Sequence, residues 1–198
     1  MANRIDYYHF LISPWSYLAI ERFNVIRDTK GVAVNYKPID VMSTFDKMGG
    51  LPPAKRHPSR QNWRMEELKR WQKHLNVPMN LTPAFFPADQ ALAAKMVYAA
   101  GGAEAILEAG MLSDAVLRAC WAEEKNIADE ATLVSIADGC GLDGQGLLAK
   151  AQTEDCARDY LNCTEEAHMR DVFGSPTYIV GEELFWGQDR LDFLAAAL

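Results

Sequence analysis

The sequence predicts an α/β domain whose chain is interrupted by an inserted all-helical domain. Strand-like segments occur only near the two ends of the 198 residues, and the long stretch between them has helical patterns. A chain of this length lies at the upper end of the usual single-domain range, which leaves room for one core with a sizeable insertion. We therefore expect a split α/β domain over residues 1–42 and 165–198 and a helical insertion over 43–164.

The first forty residues predict a strand–helix–strand unit. Residues 5–12 are rich in aromatic and β-branched side chains, which favour a buried strand. Ser13-Pro14 follows, and serine is a favoured N-cap while proline is favoured at the first helical position. We expect a helix over 15–27 that ends at Gly31, and a second strand over 32–39.

The middle of the chain predicts helices and the end predicts a hairpin. Residues 62–169 have few strand signals, and Asp129 and Asp143 each stand where an N-cap would open a helix. Near the C-terminus, the apolar segments 177–180 and 183–186 flank Gly181-Glu182, which is a plausible hairpin turn. A short helix is expected to follow, through Leu194.

Composition and charge exclude several classes of partner. The net charge of -7 disfavours nucleic acid and anionic membranes, because both are bound by concentrated basic surfaces. No segment approaches the roughly 18 uninterrupted apolar residues of a membrane-spanning helix. The opening residues 1–6 continue directly into strand-like sequence and lack an export signal, so a cytoplasmic protein is expected.

The cysteines predict neither a redox pair nor a metal site. No Cys-x-x-Cys pair occurs, and no histidine stands at metal-ligand spacing. Cys156 and Cys163 fall on one predicted helix about 10 Å apart, beyond the roughly 7 Å limit for a disulfide. We expect small buried hydrophobic side chains and no bound metal. The four cysteines are Cys120, Cys140, Cys156 and Cys163.

Two segments are positioned to carry chemistry. Ser13-Pro14-Trp15-Ser16 opens the first helix, where free N–H groups and the positive end of the helix dipole attract anions such as a thiolate. Residues 173–177 (Phe-Gly-Ser-Pro-Thr) precede a strand, and proline is allowed there. Taken alone, Ser13 is simply an N-cap and Pro176 simply starts a strand; their pairing at this separation is the informative feature.

This pairing resembles the thioredoxin fold, in which a reactive elbow faces a cis-proline loop. Where redox members have Cys-Pro-x-Cys, this chain has serine at both cysteine positions. Residues 13–19 resemble the opening motif of the 2-hydroxychromene-2-carboxylate isomerases and kappa-class glutathione transferases. Residues 172–177 and 185–191 resemble the second signature of that family. One departure is Phe10, which stands where the family often has an acidic residue; we expect its neighbour His9 to be a buried strand residue.

The resemblance implies a role for each matching position. Ser13 would be the catalytic serine that hydrogen-bonds the sulfur of a glutathione cofactor and favours its thiolate. Ser175, before a cis-Pro176, would pair its backbone with the glutathione peptide, and Gln188 and Asp189 would hold the γ-glutamyl end. The remaining implied residues are Arg60 for glutathione, and Lys47 and Phe85 for the carboxylate and the ring of an aromatic substrate.

The implied reaction is glutathione-dependent isomerisation of 2-hydroxychromene-2-carboxylate to trans-o-hydroxybenzylidenepyruvate, in aromatic catabolism, by a homodimer. Reversible thiolate addition would permit rotation about the former double bond. One alternative is a kappa-like glutathione transferase, in which glutathione stays on the product. Another is a non-catalytic binding protein that kept the fold. A disulfide oxidoreductase is disfavoured, because Ser13 and Ser16 supply no sulfur for a dithiol relay.

Overall fold

The computed structural model describes residues 4–104 and 107–198; the parts of the domain and export predictions that concern residues 1–3 lie outside them. These residues form four strands and nine α-helices. The elements are β1 (Arg4–His9), α1 (Pro14–Lys30), β2 (Ala33–Pro38), α2 (Val41–Lys47), α3 (Pro58–Leu75), α4 (Ala91–Ala99), α5 (Leu107–Trp121), α6 (Glu130–Gly139), α7 (Gly144–Ala151), α8 (Glu154–Met169), β3 (Thr177–Val180), β4 (Glu183–Trp186) and α9 (Leu191–Ala197).

The strands form one mixed sheet in the order β2-β1-β3-β4. β1 pairs in parallel with β2, with Tyr7 opposite Tyr36, and antiparallel with β3, with Tyr7 opposite Tyr178. β3 and β4 form the predicted hairpin, whose turn residue Gly181 has a φ of 59°. The two ends of the chain therefore meet side by side in the sheet, which confirms the predicted α/β domain.

Alternation along β1 directs side chains to two cores. Ile5 and Tyr7 belong to the larger buried core, which also contains α1 and α5 side chains. Tyr8 belongs to a second buried cluster on the opposite face, where Ala167 of α8 packs. Successive strand residues point to opposite faces, so β1 contributes buried side chains to both faces of the sheet. Helices cover both faces. None of the helices within 4–104 and 107–198 has the length and apolarity needed to cross a membrane.

Local capping sets several helix ends as the sequence predicts. Ser13 caps α1 and Gly31, with a φ of 61°, ends it. Asp129 and Asp143 cap α6 and α7 by accepting hydrogen bonds from the N–H groups of Thr132 and Gly146. These predictions succeed because a cap depends on side chains within about three residues of the backbone groups that they satisfy.

The structure differs from the sequence prediction near residues 10–13, where β1 stops at His9 instead of continuing to Ile12. The N–H of Phe10 donates to Ser175 Oγ at 2.8 Å, and the N–H of Ser13 donates to the Phe10 carbonyl at 2.9 Å. These bonds fold the chain into a turn before α1 begins.

The helical segment packs directly onto the sheet domain. Gln90 Nε2 donates to the Ile39 carbonyl at 2.8 Å, and Tyr98 OH donates to the Pro38 carbonyl at 2.7 Å. The larger core is continuous from the strands through α3, α4 and α5. The predicted boundaries at 42/43 and 164/165 fall inside α2 and α8, and the division into two domains stays a prediction.

Asp114 is a buried acid beneath the sheet. Asn24 Nδ2 donates to its carboxylate at 2.7 Å, and burial raises the pKa of Asp114 to about 6. A raised native pKa means that the folded state holds the proton more tightly than the unfolded state. The unfolding free energy therefore decreases as the pH rises from about 4 to about 6.

We expect Asp114→Asn to stabilise the protein at neutral pH, because the amide removes the cost of a buried charge. The shift corresponds to about 2–3 kcal/mol at pH 7.5, shrinking towards zero near pH 4. Urea unfolding of both proteins at the two pH values measures it. A variant that is destabilised equally at both pH values would contradict this account of Asp114.

Candidate active site

Ser13 lies at the N-terminus of α1, a helix of 17 residues. Its side chain is buried, and its Oγ accepts a hydrogen bond from the N–H of Ser16 at 3.2 Å. The same hydroxyl donates to the Ser175 carbonyl at 3.4 Å, which is a long and weak bond. A hydroxyl proton is thus held beside the positive end of the helix dipole, where an anion is stabilised.

Ser175 joins the start of α1 to the end of β1. The Ser175–Pro176 peptide bond is cis. Ser175 Oγ accepts from the N–H of Phe10 at 2.8 Å and lies 2.7 Å from Ser16 Oγ, with which it shares a hydrogen bond. Both serine hydroxyls are buried. These bonds fix the loop against the helix N-terminus.

A second turn lies against the same loop. The N–H of Gly187 donates to the Pro176 carbonyl at 2.9 Å, and the φ of Gly187 is 108°, a value that favours glycine. Gln188 is buried, and its side-chain oxygen accepts from the guanidinium of Arg22. Asp189 remains partly exposed and pairs with Arg190 at 2.7 Å.

Two adjoining pockets open at these segments and form one cleft. The Ser13 pocket, of about 360 Å³, is lined by Ser13 and a mainly apolar set of side chains that includes Phe10, Phe45 and Phe86. The Gln188 pocket, of about 380 Å³, is lined by Gln188, Asp189 and two tryptophans of α3. The residues that line both pockets are Trp15, Arg56, Arg60, Arg64, Ser175 and Trp186.

The cleft brings together five of the predicted site residues: Ser13, Arg60, Ser175, Gln188 and Asp189. Pro176 lines neither pocket, although its carbonyl holds the turn at Gly187. Their predicted roles stay predictions.

Lys47 and Phe85, predicted to contact substrate, line neither of these pockets. On α2 the residues that line the pocket are Val41, Phe45 and, just past its end, Met48; Lys47 is only two positions from Phe45 and projects from another side of the helix. Lys47 is exposed. Phe85 is 48% exposed and lines a separate depression, whereas its neighbour Phe86 lines the Ser13 pocket.

The sequence prediction missed Arg56 and Arg64 and the tryptophan pair Trp63 and Trp71. The signal was present as spacing: Arg60 and Arg64 are four positions apart on α3, and so are on one helical face. The sequence prediction began the helical stretch at residue 62. The four-residue spacing of Arg60 and Arg64 was therefore not interpreted as one face of a helix.

Other reactive side chains lie away from the cleft. His9 is buried, as expected; it hydrogen-bonds Ser113 Oγ at 2.6 Å, and burial lowers its pKa to about 3. All four cysteines are free, and none lines either pocket. Among residues 4–104 and 107–198 no group of three or more acidic, histidine or cysteine side chains is arranged to hold a metal ion.

Comparisons with known proteins agree with this architecture. The family model of the DSBA-like thioredoxin domain matches residues 4–198. The 2-hydroxychromene-2-carboxylate isomerase of Sphingobium xenophagum is 30% identical over 100% of this chain and 99% of its own. The protein named glutathione S-transferase kappa 1 of Caenorhabditis elegans is 26% identical over 98% of this chain and 90% of its own.

A solved structure of 2-hydroxychromene-2-carboxylate isomerase superimposes with a TM-score of 0.84 at 25% identity, covering 98% of this chain and 93% of that one. The matches extend over nearly the whole chain, including the helical segment between the two halves of the sheet. The chain belongs to the DSBA-like thioredoxin-domain family and, within it, to the 2-hydroxychromene-2-carboxylate isomerases, which are related to the kappa-class glutathione transferases.

Proposed function

We propose that this protein is a glutathione-dependent isomerase of a hydroxychromene-carboxylate-type aromatic substrate. The observation that carries the proposal is the buried hydroxyl of Ser13 at the N-terminus of α1, on the wall shared with the Ser175 loop. The relative from Sphingobium xenophagum, which is named as an isomerase, lends support, since the match covers 99% of its length. Because no cysteine lines the cleft, thiol chemistry there needs a thiol from a ligand.

The residues of the cleft fit glutathione as a cofactor. Ser13 is placed to donate to a sulfur anion, and Arg60 to meet a carboxylate. The exposed carboxylate of Asp189 suits an ammonium group, and the Ser175 loop offers main-chain groups for a bound peptide. When bound, glutathione supplies the thiolate that adds to and leaves the conjugated substrate.

The protein's own side chains would orient the bound thiolate and the substrate and stabilise their negative charges. The N–H of Ser16 holds the Ser13 Oγ, so that the Ser13 proton points away from the helix. The Ser13 hydroxyl donates to the Ser175 carbonyl, with 3.4 Å between the two oxygens, and this weak hydrogen bond is easily exchanged for a stronger, charge-assisted one. The apolar side chains of the Ser13 pocket exclude water and provide flat surfaces for an aromatic ring.

A kappa-like glutathione transferase is the second candidate, favoured by the relative of that name. The two reactions share the thiolate and differ in whether glutathione is released. Incubation with 2-hydroxychromene-2-carboxylate and glutathione, followed by NMR, separates them: an isomerase returns all of the glutathione, and a transferase consumes it. A failure to convert the substrate under any condition would contradict the proposal and favour a binding protein.

Asp189→Asn is expected to weaken glutathione binding about tenfold, because it removes the carboxylate opposed to the ligand ammonium. Calorimetric titration of glutathione and of N-acetylglutathione into both proteins measures this. The wild type should prefer glutathione, and the variant should have lost that preference. If both proteins prefer glutathione over N-acetylglutathione to the same extent, Asp189 does not bind the ammonium group of the ligand.

Two further expectations accompany the proposal. Glutathione-dependent chemistry suits the reducing cytoplasm, where we propose that the protein acts. We also propose a homodimer, by analogy with the family. Light scattering after size exclusion gives the mass directly, and a monomer at micromolar concentration would contradict the second expectation.

A further inference from the structure

Arg56, Arg60 and Arg64 form a row of three cations along the wall that the two pockets share. No carboxylate of the described residues lies within ion-pair distance of any of them. Arg56 Nε donates to the Leu51 carbonyl at 2.7 Å, and the guanidinium of Arg64 donates a long hydrogen bond to the Met65 sulfur at 3.9 Å. The chain carries a net charge of -7, so this row of three cations without carboxylate partners contrasts with the negative charge of the chain as a whole.

Arg56 and Arg64 differ from Arg60 in being half-buried. The guanidinium of Arg56 lies over the Phe45 ring at 6.0 Å, and that of Arg64 lies over the Phe86 ring at 5.9 Å. These contacts hold two cations against two aromatic side chains that line the Ser13 pocket. Burial, together with repulsion from a neighbouring arginine in the row, lowers the pKa of each. Desolvated, unpaired cations of this kind gain most when an anion binds.

The two pockets differ in the charged side chains that line them. The Gln188 pocket contains Glu67 and Asp189 beside the arginines. Among its described lining residues, the Ser13 pocket contains the three arginines and no acidic side chain. With Arg60 assigned to a carboxylate of glutathione, Arg56 and Arg64 remain without an anion. A ligand with one carboxylate would neutralise one of these two charges, whereas a ligand with two anionic groups would neutralise both.

We propose that the Ser13 pocket binds flat apolar ligands with two anionic groups, recognised by Arg56 and Arg64. This inference rests on the proposed function, because it adds to the carboxylate-bearing aromatic substrates of that site a preference for those with a second anionic group. Arg56 and Arg64 thereby take the carboxylate-binding role that the sequence resemblance gave to Lys47. The phenylalanine side chains bind the ring, and each guanidinium provides the paired N–H donors that suit a carboxylate.

Calorimetry with probes that share the cinnamoyl skeleton and differ in charge tests the proposal. The probes are trans-cinnamamide, trans-cinnamate, and the three ring isomers of carboxycinnamate, titrated at pH 7.5 without glutathione. We expect at least one carboxycinnamate to bind about tenfold tighter than cinnamate, and cinnamate tighter than its amide. Arg56→Gln and Arg64→Gln should each reduce the advantage of that isomer to less than about threefold. Arg158→Gln removes a surface arginine of α8 that pairs with Asp155, and so provides the matched control.

The proposal is overturned if no carboxycinnamate binds more tightly than cinnamate, if none of the probes binds, or if the advantage survives in both variants. Circular dichroism melting of each variant verifies that it is folded. Titration of glutathione into the same samples keeps the two proposals separate. If glutathione does not bind but the preference for the doubly charged probe persists, glutathione is not the cofactor, and the proposed anion site is still supported.

Discussion

Ser13→Ala is expected to lower glutathione-dependent turnover by about 10²- to 10³-fold, the usual effect of removing one donor to a reacting anion. The variant loses the hydroxyl that the N–H of Ser16 holds beside the helix N-terminus. The stability cost should be small, because the loss of one N-cap costs about 1 kcal/mol. Initial rates at saturating glutathione, together with urea unfolding, separate the two effects.

Asp129→Ala is the matched control for Ser13→Ala. It removes the N-cap of α6, where the side chain accepts from the N–H of Thr132 at 2.8 Å, and Asp129 lines neither pocket of the cleft. We expect a lower melting temperature and unchanged turnover. If Ser13→Ala likewise loses only stability and keeps its rate, Ser13 is an N-cap and the catalytic assignment fails.

Ser175→Ala is the second change with a large expected effect, and here stability and binding fall together. Ser175 Oγ serves two buried partners, the N–H of Phe10 and the hydroxyl of Ser16. Each buried polar group left without a partner costs about 1–3 kcal/mol, so the two groups together predict a loss of about 2–6 kcal/mol in unfolding free energy. Release of the loop should also weaken glutathione binding about tenfold.

Urea unfolding and calorimetry measure both effects of Ser175→Ala. Ser135→Ala is a suitable control, because Ser135 is exposed on α6 and its replacement should change neither quantity. A Ser175 variant as stable as the wild type would show that water replaces the lost hydroxyl. The hydrogen bonds of Ser175 would then not be what holds the loop against α1.

The strands and caps were predictable because their signals are local. The segments that become β2, β3 and β4 contain β-branched or aromatic side chains and are bounded by turn residues. The caps at Ser13, Asp129 and Asp143 satisfy N–H groups three positions away. The end of β1 was not predictable in this way. It depends on a hydrogen bond between Phe10 and Ser175, which are 165 positions apart.

Residues that belong to motifs could be placed in the cleft from the sequence, whereas residues whose orientation depends on helix packing could not. Ser13 and Ser175 belong to motifs that the family resemblance fixes, and the structure brings them together. The segment of α2 and the start of α3 has no comparable motif, so which residues face the cleft depends on the packing of those helices. On this segment the sequence singled out Lys47 and not Arg56, although it is Arg56 that lines the pocket; of the neighbours Phe85 and Phe86, it is Phe86 that lines it.

The central claim is that the Ser13 cleft is a catalytic site that needs glutathione. The most direct test is the initial rate of 2-hydroxychromene-2-carboxylate isomerisation by the wild-type protein as the glutathione concentration is varied. We predict negligible conversion without glutathione, a saturable rise as it is added, and full recovery of the thiol at the end. A rate that is independent of glutathione, or no conversion at saturating glutathione, would contradict the account.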